Sequence, residues 1–518
     1  MLVRRAFLAP ALLVGLLHAG AAPAQLLRVG VPSDVTSIDP HFQDLGPNAN
    51  IGKHIFEALV ATSGKSEMQP GLATGWKLTA DPTVWELSLR EGVRFQDGTP
   101  FTAEDAAFSL KRATVVPNAP GTVGRYVRDL VEVAVTGPHS LRIRTPEPQP
   151  SLPNNLSNIP IVQARIGLAA EPRDFNNGRH AIGTGPYRFA AWEPGSQVKL
   201  AANPDYWGGK PAWPEVTFRT LPNNGARVAA LLSGDVDLIT AVPTVDVPRL
   251  RGDARFALWE TVSNRDVFWT IDSSREQTPH VTARDGSPIA NPFRDVRVRQ
   301  AVMLAINRRL IVERVMEGLA VPATHLVPPG MAGHDPSIAL PEADPARARA
   351  LLAEAGYPNG FKLTIHSTAG RYPNDQQQAE AVAQMLSRVG IQTEVATLPV
   401  AIFFVNARKH AFTFNIVSWG FSTGDTYLLV RETLHSAGAE NYGRYANPAV
   451  DLALTQARTE TDIARRSGLI AQAQRLAVAD FAYVPTHYQV NLSATRKGLV
   501  LRPRMDEMTL AQDVSVGQ

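Results

Sequence analysis

Apolar and polar positions along this chain switch between a period of two and a period of about 3.6. Residues 27–31 (LRVGV) and 84–89 (VWELSL) alternate and predict strands, and two more short strands are expected within 130–145. Tyr187, Phe189 and Ala191 alternate with Arg188 and Ala190. Pro194-Gly195 is turn chemistry, and Val198 and Leu200 restart the alternation. Residues 183–207 therefore predict a hairpin, entered through a tight turn at Gly183, Gly185 and Pro186 and left at an Asn-Pro-Asp-Tyr-Trp corner.

Helical spacing takes over elsewhere. Thr102 with Asp105 forms a capping box ahead of Phe108 and Leu110. Val298, Ala301, Val302, Ala305 and Ile306 share one face of a helix that Asp295 can cap and Gly318 can end. Residues 346–355 (ARARALLAEA) predict a helix stopped by Gly356. Phe361, Leu363 and Ile365 then alternate. Ala379, Val382, Ala383, Leu386 and Val389 form another helical face ending at Gly390, before Ile391, Thr393 and Val395 alternate again. That strand–helix–strand unit predicts a parallel crossover and α/β architecture. Proline-rich stretches near 146–160 and 327–345 read as connections.

The length, 518 residues, predicts two to four domains. There are 51 basic and 48 acidic residues, and two of the former, Arg4 and Arg5, belong to the leader. The remainder is close to neutral, with no basic run interleaved with aromatics, so no nucleic-acid partner is expected. Cysteine is absent, which excludes disulfides, thiolate metal sites, thiol nucleophiles and a cysteine-linked lipid anchor.

The N-terminus reads as an export signal. Arg4-Arg5 is the charged region, Ala6–Leu17 the apolar one, and Ala22-Pro23-Ala24 the small-residue cleavage site. Cleavage after Ala24, a periplasmic location and no lipoprotein anchor are the expectations. Arg4-Arg5-Ala6-Phe7-Leu8 also resembles a twin-arginine signal, with Val3 and Ala9 departing from it, so the export route stays open.

No catalytic set emerges. There is no G-x-S-x-G and no H-E-x-x-H. SGKS at 63–66 has Leu59 where a phosphate-binding loop needs glycine, and Gly183-Thr184-Gly185 lacks a third glycine. The twelve histidines are scattered. His435 and His487 are nearest in chain order to the ligand region discussed below, and a lone histidine is more often structural than a nickel or haem ligand. No enzyme, metal or cofactor is expected.

An ordered series of segments carries a resemblance. It runs SIDPHFQDLG (37–46), IFEALV (55–60), QPGLATGW (69–76), LREGVRFQDGTPFTAEDAAFSLKR (89–112), the 183–207 hairpin with NPDYWGGKP, and ALLSGDVDLI (230–239). It continues with DVRVRQAVMLAINRRLIVERV (295–315), AGYPNGFKLTI (355–365), RYPND (371–375), VSWGFSTGD (417–425) and NYGRYANPAVD (441–451). Together these resemble the family 5 extracellular solute-binding proteins, the peptide and nickel receptors of bacterial ABC importers.

The resemblance implies a type II periplasmic-binding-protein fold in its large variant. Two α/β lobes are joined by a hinge, with an extra subdomain inserted in the first. The expected division is a signal peptide (1–24), a discontinuous first lobe (25–55, 190–262 and 487–518), the inserted subdomain (56–189) and a second lobe (263–486). The tail strand Val484–Val490 would return to the first lobe. The implied function is to capture peptides or peptide-like solutes and deliver them, as a monomer, to permease subunits in the inner membrane. A nickel chelate, haem, glutathione, an opine or an oligosaccharide are alternative cargoes, and a secreted hydrolase is an alternative of another class.

The resemblance also suggests site residues. In peptide-binding relatives an aspartate three residues after the tryptophan of this motif meets the ligand's α-amino group. Here that position is Ser422, and Asp425 is the substitute three residues further on. Arg371 matches an arginine that meets a ligand carboxylate, a task suited to the guanidinium fork. Backbone groups of Asp44, Leu45 and Gly46 would bind an extended ligand as a neighbouring strand does. Trp419, Gly420 and Phe421, with Tyr427, would wall the pocket.

Overall fold

The computed structural model describes residues 26–339, 342–420 and 423–517. The predicted leader, with its expected cleavage site, and two candidate site residues, Phe421 and Ser422, lie outside the described residues.

The molecule is built on one 12-stranded mixed sheet. Its centre is two long antiparallel strands, Phe256–Ile271 and Tyr483–Arg496, paired from Phe256 with Arg496 to Thr270 with Tyr483. On one side Tyr483–Arg496 pairs with Leu238–Thr240, followed by Leu26–Val31, Glu215–Thr220, Gln197–Ala202 and Tyr187–Glu193. On the other side Phe256–Ile271 pairs with Phe414–Gly420, followed by Lys362–Thr368, which Gln392–Leu398 and Val281–Thr282 flank. The pairing shifts register between Val262 and Asp266, and again between Val267 and Phe268. Such bulges bend and twist strands, here where the two halves meet.

Each half has its own core. One gathers Leu27, Val29, Phe56, Tyr187, Trp213 and Phe218. The other half has two, one around Trp269, Phe293, Phe361 and Phe414, the other around Phe268, Phe403, Tyr427 and Tyr483. Between Leu26–Val31 and Tyr187–Glu193 the chain leaves the large sheet. It builds a four-stranded antiparallel sheet (Ala73–Leu78, Val84–Leu89, Ser140–Arg144, Glu132–Gly137) over a separate core that includes Phe95, Phe101, Leu110 and Leu141. This is a two-lobe α/β fold with a subdomain inserted in the first lobe.

Most predicted elements form where the pattern places them. Asp105 Oδ2 accepts from the Thr102 amide at 2.9 Å at the head of helix Ala103–Ala113. Lys362–Thr368 and Gln392–Leu398 are parallel and joined by helix Asp375–Arg388. Three expectations change. The helix capped by Asp295 stops at Ala305, because Ile306 is extended; Asn307 then caps a short turn that runs into a π-helical turn at Ile311–Val315. The Tyr187–Glu193 strand carries a bulge between Phe189 and Ala191, so its alternation does not persist. Gly183 and Gly185 serve close packing rather than a left-handed turn: neither has positive φ, and a Cβ on either would collide with the backbone carbonyls of residues 54–55.

The hairpin is tied to the inserted subdomain and to the motif before it. Gln96 Nε2 donates to the Tyr187 carbonyl at 2.7 Å and its Oε1 accepts from the Gly183 amide at 3.1 Å. Glu57 accepts from the Tyr206 hydroxyl at 2.9 Å and the Trp207 indole at 2.8 Å, which docks the Asn-Pro-Asp-Tyr-Trp corner.

Candidate functional site

The inserted subdomain faces the second lobe across a cleft of about 290 Å³, lined in part by Arg125, Tyr126, Glu147, Asp425, Tyr427 and Arg458. Contacts bridge the two sides. Arg458 pairs with Glu147 at 2.7 Å, and Asn154 Nδ2 donates to the Thr423 carbonyl at 3.0 Å. On the other flank Asn374 Nδ2 donates to Thr244 Oγ1 at 3.2 Å.

Asp44 stands beside this cleft. Its carboxylate accepts from the Tyr126 hydroxyl at 2.8 Å and pairs with Arg125. Its amide donates to the Gly121 carbonyl at 2.9 Å, the Leu45 carbonyl accepts from Ala49, and Gly46 opens helix Gly46–Ile55. The loop is anchored from behind by a buried fork, Arg112 to Asp39 at 2.6 and 2.9 Å. The Asp44 amide thus already has a protein partner, and the chain turns into a helix instead of presenting an open strand edge at 44–46.

Asp425 is committed elsewhere too. It caps helix Thr426–Leu434 by accepting from the Tyr427 amide at 3.1 Å. Both its oxygens receive the Arg466 guanidinium, at 3.0 and 2.9 Å. The Arg466 guanidinium thus already neutralises the charge that a ligand ammonium would need.

Arg371 has the opposite character. Its side chain is exposed and, among the described residues, makes no ion pair. Asp375 fixes the loop beneath it, accepting from the Arg371 amide at 2.9 Å and from Thr368 Oγ1 at 2.7 Å. The guanidinium lies 5.3 Å from the Tyr372 ring.

Near it, at the junction of the lobes, Arg265 pairs with Glu507 at 2.7 and 3.0 Å, and Glu507 also accepts from Ser263 Oγ at 3.1 Å. Burial alone would push the Glu507 carboxyl up. The Arg265 guanidinium outweighs it, with a contribution from Arg371, and holds the carboxyl below its ordinary range. Arg371 is therefore within electrostatic reach of the junction, which joins a loop of the second lobe, a central strand and the C-terminal tail.

Trp419 and Gly420 end strand Phe414–Gly420, opposite Asp266 and Arg265. A Cβ on Gly420 would come within 3.1 Å of the Arg265 guanidinium. Trp419 is half-buried and packs on the same cluster as Tyr427.

The candidate residues thus fall into two neighbourhoods, the cleft (Asp44, Asp425) and the junction (Arg371, Trp419, Gly420). Arg125, Tyr126, Arg265 and Glu507 were not singled out by sequence. Arg125 and Tyr126 are adjacent, but Arg265 and Glu507 stand in separate segments, and only the folded chain sets these residues beside the candidate ones. His435 lies near Asp451 at 3.8 Å, whereas His487 is buried with neither ring nitrogen hydrogen-bonded. Among the described residues no group of three or more His, Asp or Glu side chains could hold a metal ion, and no helix is long and apolar enough to cross a membrane.

Residues 67–441 match the family described as bacterial extracellular solute-binding proteins, family 5. The chain is 26% identical to the glutathione-binding protein GsiB of Shigella dysenteriae serotype 1 over 511 residues, 96% of this chain and 95% of that protein. Its fold is that of HbpA2 from Haemophilus parasuis, with a TM-score of 0.82 at 23% identity over 95% of this chain and 100% of the other. It is also that of the periplasmic binding protein DppA from Helicobacter pylori in complex with the peptide STSA, with a TM-score of 0.75 at 23% identity over 95% and 98%.

Proposed function

Because the chain belongs to the bacterial extracellular solute-binding proteins of family 5, the binding components of ABC importers, we propose that its cargo is a peptide or peptide-like solute bearing a carboxylate. The observation that carries this reading is Arg371, an exposed guanidinium without an ion-pair partner among the described residues, set on a rigid loop beside the junction of the lobes. The surrounding carboxylates Asp44, Glu147, Asp425 and Glu507 are each matched by an arginine of the protein. Beside the junction, where Glu507 is matched by Arg265, Arg371 adds cationic character for an anionic guest. Glutathione, the ligand named for GsiB, and short peptides share that carboxylate.

In this reading the lobes hinge at the register shift between Val262 and Asp266, with the first lobe comprising 25–55, 190–262 and 487–518, the insertion 56–189 and the second lobe 263–486. Closure follows from the differential affinity of the ligand for the closed state. The protein acts as a monomer in the periplasm after cleavage behind Ala24, without a lipid anchor, passes its cargo unaltered to the permease and is not an enzyme. Mass spectrometry of ligand released from protein purified out of the periplasm tests the assignment, with calorimetry using glutathione and tri-alanine. Recovery of a peptide or glutathione supports it. Recovery of a metal chelate, haem, opine or oligosaccharide, with no binding of the two probes, overturns it.

A further inference from the structure

Asp266 is the only carboxyl among the described residues whose two oxygens are both buried and both without a hydrogen-bond partner. It is 1% exposed and sits immediately after the register shift in the central strand. An ionised carboxylate in that position costs several kcal/mol unless a cation meets it. Its strand neighbour Arg265 does not, because that guanidinium is turned to Glu507. On one side Asp266 is paired with Tyr488, whose hydroxyl is spent on the His325 carbonyl at 2.8 Å. On the other side it is paired with Trp419. Directly opposed residues of an antiparallel pair share a face, with Cβ atoms about 5 Å apart. Trp419 is half-exposed and shares its apolar cluster with Tyr427, which lines the cleft. The carboxyl therefore lies at the junction of the lobes, beside the Arg265–Gly420 pair, with an indole as its neighbour. The other carboxylates nearby are occupied by arginines, and Asp129, which also lines the cleft, is exposed to water and needs no partner.

We infer that Asp266 is a binding residue, the counter-charge for an ammonium group of the ligand, reached when the Trp419 indole swings aside, with Trp419 and Tyr488 as aromatic walls. Aromatic faces and one carboxylate together suit a desolvated ammonium. The inference rests on the reading of the junction beside Arg371 as the ligand site and narrows that ligand to one carrying both a carboxylate and an amine. In the empty protein burial pushes the Asp266 carboxyl well above its ordinary range, toward the protonated form, outweighing nearby backbone amides and Arg265. On binding, the ammonium takes the place of that proton. The carboxyl O–H bond breaks, the proton leaves to buffer, and an ion pair remains. The titratable groups that face Asp266 are Arg265 on its own strand and Tyr483 and Tyr488 on the next, with His325 behind Tyr488; strand Phe414–Gly420 adds none. Burial pushes both phenols up and the His325 imidazole down to about 4, so all three stay neutral near pH 7.

The test is calorimetry on the full mature protein with glutathione, tri-alanine and their N-acetylated forms, at pH 7.5 in phosphate and in Tris, which differ in ionisation enthalpy. The free-amine probes are expected to bind about tenfold tighter or more than the acetylated ones, the scale of a charge-assisted hydrogen bond, and to release protons on binding. Asp266→Asn should lose both the amine preference and the proton release while keeping its circular dichroism spectrum. If that variant does not fold, the wild-type proton count still decides. Probes that bind the wild type without amine preference or proton release overturn this inference and leave the reading of the junction as the ligand site standing. The same losses from Asp129→Asn, with Asp266→Asn unaffected, also overturn it. A wild type that binds none of the probes overturns both.

Discussion

Replacing Asp425 with asparagine separates a structural role from a ligand-binding one. Asparagine caps a helix about as well as aspartate, so the bond from the Tyr427 amide survives. What is lost is the charge facing Arg466, held at 3.0 and 2.9 Å, with the carboxylate 6% and the guanidinium 12% exposed. Removing one partner of a buried pair costs ~3–5 kcal/mol. Arg466 retains a bond to the Ala457 carbonyl at 3.1 Å and a position 5.1 Å from the Tyr427 ring, and its edge reaches water. The expected cost is therefore about 2–3 kcal/mol, below the range for a fully sequestered pair. Urea unfolding of Asp425→Asn, Arg466→Met and the double variant should give a coupling of about 2 kcal/mol, while the affinity for glutathione or tri-alanine stays within a factor of two. A variant of unchanged stability that no longer binds these probes would refute the reasoning and return Asp425 to the ligand.

Arg371→Ala should weaken binding of carboxylate-bearing probes by about 10- to 100-fold, the loss of one charge-assisted contact. C-terminally amidated tri-alanine should be little affected in calorimetry, and stability should move by less than about 0.5 kcal/mol. Gly183→Ala should destabilise the first lobe by about 1–3 kcal/mol through overpacking against the Ile55 carbonyl, read as a lower thermal midpoint. Acid should destabilise the protein. Burial holds His41, His54, His325 and His366 at about 4 and His487 at about 3. The His54 Nε2 also accepts from the Ala511 amide at 2.9 Å, a bond that only the neutral ring can make. The unfolded chain therefore binds more protons than the native one from about pH 6.5 downward, and stability present above that pH falls as the pH drops toward 4, by ~1.4 kcal/mol per pH unit for each full proton. Asp266, Glu57, Glu440 and Asp513, pushed up by burial, act in the opposite direction but are fewer than these histidines. Urea midpoints at pH 7.5, 6.0 and 5.0 should fall steadily; a flat series contradicts this.

Local structure was legible wherever one period persisted. The strand Val84–Leu89 and the crossover around helix Asp375–Arg388 need only their own residues to declare themselves. The break after Ala305 was not legible, because Ile306 continues the apolar face of Val298 and Val302 even though its backbone is extended. Periodicity reports a face, not the φ and ψ of the residue that leaves it. The site was legible only as motifs. Arg371 and Trp419 stand in segments that carry the family resemblance, but which carboxylate is occupied depends on Arg466 and Arg265, far away in sequence. Asp266 follows Ser263, Asn264 and Arg265 in a mixed stretch of its strand, and only its missing partners make it notable.

The claim on which the account depends is that two lobes close over a guest. Small-angle X-ray scattering from protein stripped of ligand by unfolding and refolding, before and after saturation with a probe that calorimetry shows to bind, tests it most directly. A smaller radius of gyration in the loaded protein is the predicted result. Superimposable scattering curves, with binding demonstrated in the same samples, would contradict it.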